Sequence, residues 1–229
     1  MYFLAEHAHL CVRNGEAIVL DLQSGRYLGL AAVQAGSLGR YVREWPLCDL
    51  ASDGTPAVQM LLARGLLTRD AARGKTARPI SVPRATQYFG DWLPLRPPSI
   101  QFHHVANFLA AASLAAAALR FIPFRVVVAH VRRRRMARAS TGNEPEMSAV
   151  IALLLTFERL RPLAFGRKDT CLLHTLALAE FLARYHVYPD WIFGIRTGPF
   201  AAHCWLQMHD FVLTDTPFNV EGLTPIMMV

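Results

Sequence analysis

Residues 171–217 read CLLHTLALAEFLARYHVYPDWIFGIRTGPFAAHCWLQMHDFVLTDTP, and the spacing of their apolar residues changes once. From Cys171 to about Tyr185 the spacing is that of a helix, which Pro189 brings to an end. The period then becomes two, and this alternation predicts three strands, at Trp191–Ile195, Ala201–Met208 and Phe211–Asp215. Because only His209 and Asp210 separate the last two strands, we expect a hairpin. The stretch therefore predicts an α+β domain in which helices precede a small antiparallel sheet.

Three polar side chains in this stretch fit the roles of acyl-transfer catalysis. Cys171 is predicted in the first turn of its helix, capped by Asp169 or Thr170, where unpaired N–H groups and the helix dipole favour a thiolate. His203 lies in the second strand and Asp215 near the end of the third, so the hairpin brings them side by side. Together they offer a nucleophile, a general base and an orienting carboxylate. An isolated cysteine usually has only a packing role, so the hypothesis of a catalytic site depends on all three.

Cys204 and His174 lie near these residues in the sequence. Strand alternation directs Cys204 to the face opposite His203, so we expect a core residue that points away from the site. His174 follows Cys171 by about one helical turn and offers an alternative base or a metal partner. A zinc site would need further ligands at fixed spacing, and none occur nearby. We predict no metal, and the absence of nucleotide and dinucleotide motifs predicts no cofactor.

The first 70 residues predict a three-stranded sheet followed by short helices. The strands are expected at His9–Arg13, Ala17–Leu22 and Arg26–Leu30. Asn14 and Gly15 tolerate positive φ and predict the tight turn between the first two strands. Helical spacing follows from Val33 to Trp45 and again over Val58–Leu62, where Gly65 ends it. Proline and small residues at 69–98 predict a linker, which divides the chain into domains at 1–85 and 86–229.

The composition of the 229 residues excludes several classes of protein. With 53% hydrophobic and 18% charged residues, the chain does not belong to the disordered class. Its four cysteines show neither a CxxC pair nor zinc-type spacing, so we expect free thiols in a reducing cytoplasm. The N-terminus lacks a basic region followed by a long apolar one, so no secretory signal is predicted. The apolar segment Val105–Leu119 is too short for a membrane span, and we expect a buried alanine-rich helix.

The net charge of +7 comes from one segment. Residues 125–138 hold six arginines and no acid, and the remaining chain has 18 basic against 17 acidic residues. Four of these arginines, Arg132–Arg135, are consecutive, which spreads them around a helix rather than along one side. We predict a solvated connector at this position. A docking patch for an acidic peptide or protein, and a nucleic-acid site, remain as alternatives.

The stretch from Cys171 to Pro217 resembles the core of a transglutaminase-like cysteine peptidase. It is most similar to the leader-removing proteases of lasso peptide biosynthesis, the microcin J25 processing-protein family. The motifs that carry the resemblance are Cys171-Leu172, the strand end Gly194-Ile195-Arg196, the run Pro199-Phe200-Ala201-Ala202-His203-Cys204-Trp205, and Asp215. The resemblance implies that Cys171 is the nucleophile, His203 the general base and acid, and Asp215 the orienting group. The residue after the histidine is usually alanine in that family, whereas here it is Cys204.

The segment LDLQSGRYLGL, Leu20–Leu30, resembles the precursor-recognition domain of ribosomal-peptide modification systems. That domain is similar to pyrroloquinoline quinone chaperones and has a winged-helix shape. A leader peptide would extend the sheet edge at Arg26–Leu30, with the helix near Val58–Leu62 as the second wall of the groove. The candidate leader-binding residues are Arg26, Tyr27, Leu28, Leu30, Leu61 and Leu62. The alternative is that these side chains belong to the core.

The two resemblances together imply a two-domain α+β protein. A winged-helix-like leader-recognition domain would precede a papain-like or transglutaminase-like α+β peptidase domain. The implied activity is hydrolysis of the leader–core bond of a lasso peptide precursor, and an ATP-dependent, asparagine-synthetase-like cyclase would then close the macrolactam. Three alternatives remain: a non-catalytic leader-binding chaperone, a winged-helix nucleic-acid binder that uses Arg132–Arg135, and acyl transfer to an amine instead of water. The presence of Cys171, His203 and Asp215 argues against the chaperone, and the location of the arginines outside the winged-helix half argues against the nucleic-acid binder.

Overall fold

The computed structural model of the chain describes residues 1–49, 53–92, 98–139, 145–166 and 171–229. The strands are β1 (Phe3–Ala5), β2 (Ala8–Arg13), β3 (Glu16–Asp21), β4 (Arg26–Leu30), β5 (Leu67–Thr68), β6 (Gly74–Lys75), β7 (Gln87–Tyr88), β8 (Asp190–Thr197), β9 (Phe200–Met208), β10 (Phe211–Val212) and β11 (Thr224–Met228). The α-helices are α1 (Ala32–Ser37), α2 (Thr55–Ala63), α3 (Phe102–Phe121), α4 (Phe124–Ala139), α5 (Met147–Leu160), α6 (Cys171–Ala183) and α7 (Pro217–Glu221). Short 3-10 helices occur at Leu38–Arg40, Ala71–Arg73, Phe89–Trp92 and Arg161–Leu163.

Among the described residues the strands form three sheets, ordered β2-β3-β4, β5-β1-β6 and β11-β8-β9-β10-β7. The chain divides into two compact units. The first unit comprises Met1–Val82, Gly194–Ala201 and Thr224–Met228, and the second comprises Pro83–Phe193, Ala202–Leu223 and Val229. Two segments from the C-terminal part of the chain thus belong to the first unit, an arrangement that a single boundary along the sequence does not express.

The three predicted N-terminal strands are confirmed as β2, β3 and β4, which pair in antiparallel register. Asn14 and Gly15 have φ values of 52° and 79°, so the tight turn between β2 and β3 uses the left-handed conformations that these residues tolerate. Leucines from the sheet and the following helices, such as Leu10, Leu30 and Leu61, fill the core of this unit. The sheet β5-β1-β6 was not predicted, because strands of two or three residues are too short to show an alternating pattern.

Helix α6 lies at the centre of the second unit. Its residues from Thr175 to Leu182 are all buried, and α3 packs along it. Phe157 on α5 contacts Phe108 on α3 and Phe181 on α6, with ring centroids 5.2 and 5.5 Å apart. Because this part of α6 is buried on all its faces, the packing around it fixes the position of Cys171 at the start of the helix.

The predicted hairpin of the second unit is also confirmed. Met208 pairs with Phe211, and His209 in the two-residue turn has a φ of 53°. Strand β10 ends at Val212, whereas the alternation predicted a strand as far as Asp215. The reason is that the hydroxyl of Thr214, rather than a backbone carbonyl, accepts the N–H of Leu206 at 2.9 Å. Asp215 therefore lies between β10 and α7.

The expectation of a buried alanine-rich helix is correct for one face of α3. Ala111, Ala112 and Ala115 are buried with Phe108, whereas Phe102 at the start of the helix is 88% exposed. In the part of the chain that the structure describes, α3 is the one helix with the length and apolar composition of a membrane-crossing segment, and 28% of that segment is buried. An alanine-rich sequence has no polar stripe, so its pattern could not indicate which face is covered.

The arginine run is not a solvated connector along its whole length, because α4 includes it and directs two of its members inward. Arg134 Nη1 donates to Glu180 Oε2 at 2.7 Å, and Arg135 forms an ion pair with Asp190. Glu180 lies on α6 and is only 6% exposed. A carboxylate at that depth needs a cationic partner, and Arg134 supplies it. Arg132 and Arg133 are exposed, as the connector prediction requires.

Replacement of Arg134 by glutamine should destabilise the protein, because it leaves the buried Glu180 carboxylate without its partner. We expect the free energy of unfolding, measured by urea denaturation, to fall by about 1–3 kcal/mol. The matched control is Arg133→Gln, which alters an exposed arginine of the same helix and should change that free energy by no more than about 0.5 kcal/mol. Equal effects of the two variants would show that the Arg134–Glu180 pair does not stabilise the fold.

Candidate active site

Cys171 is held by hydrogen bonds at the start of α6. The hydroxyl of Thr175 donates to the carbonyl of Cys171 at 2.8 Å, and the indole N–H of Trp191 donates to the Thr175 oxygen at 3.2 Å. The two predicted caps, Asp169 and Thr170, lie outside the described residues. The helix begins at Cys171, as predicted, and the N–H groups of a first turn have no partner within the helix. The Cys171 sulfur therefore lies at a helix terminus that favours negative charge.

His203 and Asp215 form a short hydrogen bond, with Nε2 and Oδ2 2.6 Å apart. The other carboxylate oxygen of Asp215 accepts from the Thr216 N–H at 2.8 Å and from the Asn219 amide at 2.7 Å. The side chain of Thr216 caps α7 by accepting the backbone N–H of Asn219, and this holds Asn219 in place. Both oxygens of Asp215 are thus occupied, and the carboxylate holds one fixed orientation toward the imidazole.

The imidazole of His203 also has an aromatic neighbour on the same strand. The ring of Trp205 lies parallel to it within 18°, with centroids 6.3 Å apart. Trp205 is 2% exposed, and its indole N–H donates to Gln207 Oε1 at 2.9 Å. Gln207 in turn donates to the carbonyls of His209 and Pro83, at 2.6 and 2.8 Å. The predicted shared face of His203, Trp205 and Gln207 is confirmed, and it places a buried indole beside the imidazole ring.

The charges of the site follow from these contacts. Hydrogen bonds from the Cys204 thiol and from His203 lower the pKa of Cys171 to about 4, although burial opposes this change. Hydrogen bonds to Asp215 and to Cys171 raise the pKa of His203 to about 9. Burial raises the pKa of Asp215, but the hydrogen bonds from His203, Asn219 and Thr216 hold it below its usual value. Between about pH 4 and pH 9 the site therefore contains a thiolate, an imidazolium and a carboxylate.

The predictions that Cys204 is buried and faces away from His203 are right, but the conclusion that it therefore points away from the site is wrong. Cys204 is 2% exposed, but its Sγ lies 3.9 Å from the Sγ of Cys171 and 3.2 Å from the Thr175 hydroxyl. Helix α6 packs on the face of β9 toward which Cys204 points, so the first residue of that helix meets the Cys204 thiol. Strand alternation predicts the direction of a Cβ atom but not how far a long side chain extends. The imidazole of His203 also contacts Cys171, although it starts from the opposite face of β9. The hydrogen bond to Cys171, burial and the neighbouring negative charge raise the pKa of Cys204, so Cys171 is the one of these two thiols that ionises.

His174 belongs to a different environment. Its Nε2 lies 3.4 Å from Glu158 Oε1, and its ring packs against those of Phe157 and Phe165. The side chain therefore faces α5 rather than the Cys171 sulfur. Across the described ranges, no three His, Cys, Asp or Glu side chains are grouped as metal ligands.

The residues predicted to bind a leader all lie in the first unit, whereas Cys171, His203 and Asp215 all lie in the second. Arg26 is exposed, and Tyr27, Leu28 and Leu62 are partly buried. Leu30 and Leu61 are 1% and 0% exposed, so their side chains belong to the core of the unit. Strand β4, which carries four of the six predicted residues, lies at one edge of its sheet.

Several residues of the site were not found by sequence analysis. The contact between Asn219 and Asp215 could have been predicted, because the Thr216-Pro217 pair is a helix-start signal that places Asn219 in the first turn of α7. The contacts of Thr175 and Cys204 depend on how α6 packs against the sheet, and no local pattern encodes that packing.

Alkylation of Cys171 by iodoacetamide should proceed at a nearly constant rate from about pH 5 to pH 8, because the thiolate is already fully formed. The rate is measured by mass spectrometry of the peptide that contains Cys171. In His203→Ala the reaction should need a higher pH, since the thiolate loses its cationic neighbour. Cys204→Ala should shift the profile in the same direction, because a hydrogen-bond donor is lost. A wild-type profile that rises only above pH 8 would contradict the ion pair.

Comparison with known families agrees with this geometry. The family model of the transglutaminase-like superfamily matches residues 109–228, a range that includes Cys171, His203 and Asp215. No curated protein and no solved structure gives a significant match. Because the matched range covers more than half of the 229 residues, the chain belongs to the transglutaminase-like superfamily.

Proposed function

We propose that the protein is a cysteine peptidase that removes the leader from a ribosomally made lasso peptide precursor. The observation that carries the chemical part is the 2.6 Å hydrogen bond between His203 and Asp215 beside the thiolate of Cys171. The superfamily includes cysteine peptidases and transglutaminases, both of which form an acyl-enzyme on a cysteine. The lasso assignment rests on the resemblance of residues 171–217 and 20–30 to the proteins of that pathway.

The contacts of the site support a two-step hydrolysis. The Cys171 thiolate attacks the carbonyl carbon of the leader–core bond, and the negative charge moves to the carbonyl oxygen. The backbone N–H of Cys171, in the first turn of α6, is a donor for that oxygen. The His203 imidazolium then protonates the leaving amine, while Asp215 holds the ring in place through Nε2. Finally, neutral His203 activates a water molecule, which releases the leader as a carboxylate and restores the thiolate.

Recognition of the leader is assigned to the first unit, which we propose is winged-helix-like. Strand β4 ends the sheet β2-β3-β4, and an edge strand offers N–H and C=O groups to an extended peptide. Arg26, Tyr27, Leu28 and Leu62 would contact leader side chains from this edge. Leu30 and Leu61, which are in the core, would support the groove from below. Binding by one unit and chemistry by the other makes the two activities separable by mutation.

The reaction also defines a place for a partner. Hydrolysis frees the amino group of the core peptide, and the asparagine-synthetase-like cyclase would use ATP to join that amino group into a macrolactam. The cyclase acts after Cys171 has cut the precursor, so this chain needs no nucleotide of its own. A reducing cytoplasm suits the reaction, because the nucleophile must remain a thiolate.

Replacement of Cys171 by alanine should abolish cleavage of a lasso precursor peptide, while leader affinity stays within a few-fold of the wild type. His203→Ala should slow cleavage by at least about 100-fold, since it removes the general base and acid. Asp215→Asn should have a smaller effect than His203→Ala, because the histidine remains. The matched control is Cys48→Ala, which removes an exposed cysteine of the first unit and should leave cleavage unchanged. Rates are measured by chromatography of the released leader.

The products distinguish the alternatives. A leader with a free carboxylate indicates hydrolysis, whereas a leader joined to added methylamine indicates acyl transfer to an amine. Leader binding without cleavage in the wild-type protein would indicate the non-catalytic chaperone and would refute the peptidase proposal.

Proline substitutions in β4 should weaken leader binding without affecting the chemistry. Successive N–H groups of a strand point to opposite sides, so one of Leu28→Pro and Gly29→Pro removes a donor from the free edge and the other disturbs pairing with β3. We expect the edge variant to lose about fivefold in affinity, the equivalent of one hydrogen bond of about 1 kcal/mol, and to retain its melting temperature. Gly29→Ser is the control, because a Cβ at Gly29 meets nothing within 4 Å. Undiminished binding by both proline variants would exclude strand addition at this edge.

A further inference from the structure

Helices α3 and α4 form a surface that the proposed chemistry does not use. We call it the α3–α4 surface, meaning the outward side chains of residues 102–139. These residues include seven arginines and neither aspartate nor glutamate. Arg134 and Arg135 are paired with acids of α6 and β8, but Arg120, Arg125, Arg132 and Arg133 are exposed. The surface is therefore strongly cationic.

The same surface is unusually apolar. Seven of the twelve large hydrophobic side chains that are exposed in the described residues belong to it. They are Phe102 (88% exposed), Leu109 (45%), Leu114 (46%), Phe121 (79%), Ile122 (44%), Val126 (47%) and Met136 (68%). Isolated exposed side chains of this kind need no explanation, but a concentration of them on two consecutive helices indicates an interaction site.

The exposed apolar side chains are continuous at the junction of the two helices. Leu114, Ile122 and Val126 line one groove of about 210 Å³, with Val127 and Leu176 among its other lining residues. Phe121 precedes Ile122 at this junction and projects into solvent. Arg120 and Arg125 flank the junction on either side in sequence. An apolar tip is thus bordered by two exposed cations.

We propose that the α3–α4 surface binds the surface of an anionic lipid bilayer. Phe121 and Ile122 would enter the boundary between headgroups and acyl chains, while Arg120 and Arg125 reach lipid phosphates. Helix α3 lies on the membrane and does not cross it, because its other face is buried against α6. Membrane binding would explain both the apolar character of α3 and the six arginines without an acid at residues 125–138.

The distribution of the arginines favours lipid over an acidic protein. Arg132 and Arg133 point in different directions around α4, and Arg120 and Arg125 belong to different helices. Dispersed cations match a fluid layer of phosphates, which can rearrange around them, better than a rigid set of carboxylates. This inference does not rest on the proposed peptidase activity.

The test is cosedimentation of the full chain with vesicles. We expect binding to vesicles of phosphatidylcholine that contain about one third phosphatidylglycerol, and little binding to pure phosphatidylcholine. Higher salt should weaken the binding, because exposed charges are screened. The double variants Phe121→Ser/Ile122→Ser and Arg120→Gln/Arg125→Gln should each lower the affinity by at least about tenfold.

Two control variants match these changes elsewhere in the chain. Phe218→Ser alters a phenylalanine of α7 that is 86% exposed, and Arg64→Gln alters an exposed arginine of the first unit. Both should bind vesicles like the wild type, and all variants should keep the wild-type melting temperature. The proposal is overturned if binding is equal for the two vesicle types, if the variants bind normally, or if the chain binds a polyglutamate peptide and neither vesicle. Precursor cleavage in vesicle-free solution should be unchanged in every variant. If the wild-type protein binds vesicles but cleaves no precursor, the proposed function fails and the membrane proposal stands.

Discussion

The hydrogen bond between His203 Nε2 and Asp215 Oδ2 sets the chemical state of the whole site. Because Asp215 engages Nε2, the Nδ1 atom is the one left to face Cys171. The carboxylate also stabilises the positive charge of the ring, and that charge stabilises the thiolate. The thiolate therefore depends on the imidazolium, and the imidazolium depends on the carboxylate of Asp215. The second oxygen of that carboxylate is held by Thr216 and Asn219.

Two successive residues of one strand act on the same sulfur. His203 and Cys204 point to opposite faces of β9, and such a pair normally serves two separate environments. Here α6 starts where both can reach, so the imidazole donates from one side and the thiol from the other. Thr175 belongs to the same arrangement, since its hydroxyl lies 3.2 Å from the Cys204 sulfur and holds the Cys171 carbonyl. The position after His203 is thus part of the candidate site.

Local patterns predicted what depends on neighbours in sequence. The turn at Asn14-Gly15, the hairpin at His209-Asp210 and the face shared by His203 and Trp205 each follow from short stretches with a clear signal. The errors arose where a contact joins distant parts of the chain. Nothing near Arg134 indicates that Glu180 needs a partner, and nothing near Cys204 indicates that α6 covers it. The burial of one face of α3 depends in the same way on α6, which follows it by 50 residues.

The hairpin of β9 and β10 limits where this segment can change in length by mutation. A residue inserted within β9 or β10 would shift the pairing of Met208 with Phe211 and turn the side chains beyond it to the other face. Asp215 is only three residues past the end of β10, and the contact between Leu206 and Thr214 transmits any shift to it. We therefore expect a single-residue insertion in either strand between His203 and Asp215 to separate the two side chains, although surface loops usually tolerate insertions. The spacing of twelve positions between these residues is thus a condition for their hydrogen bond.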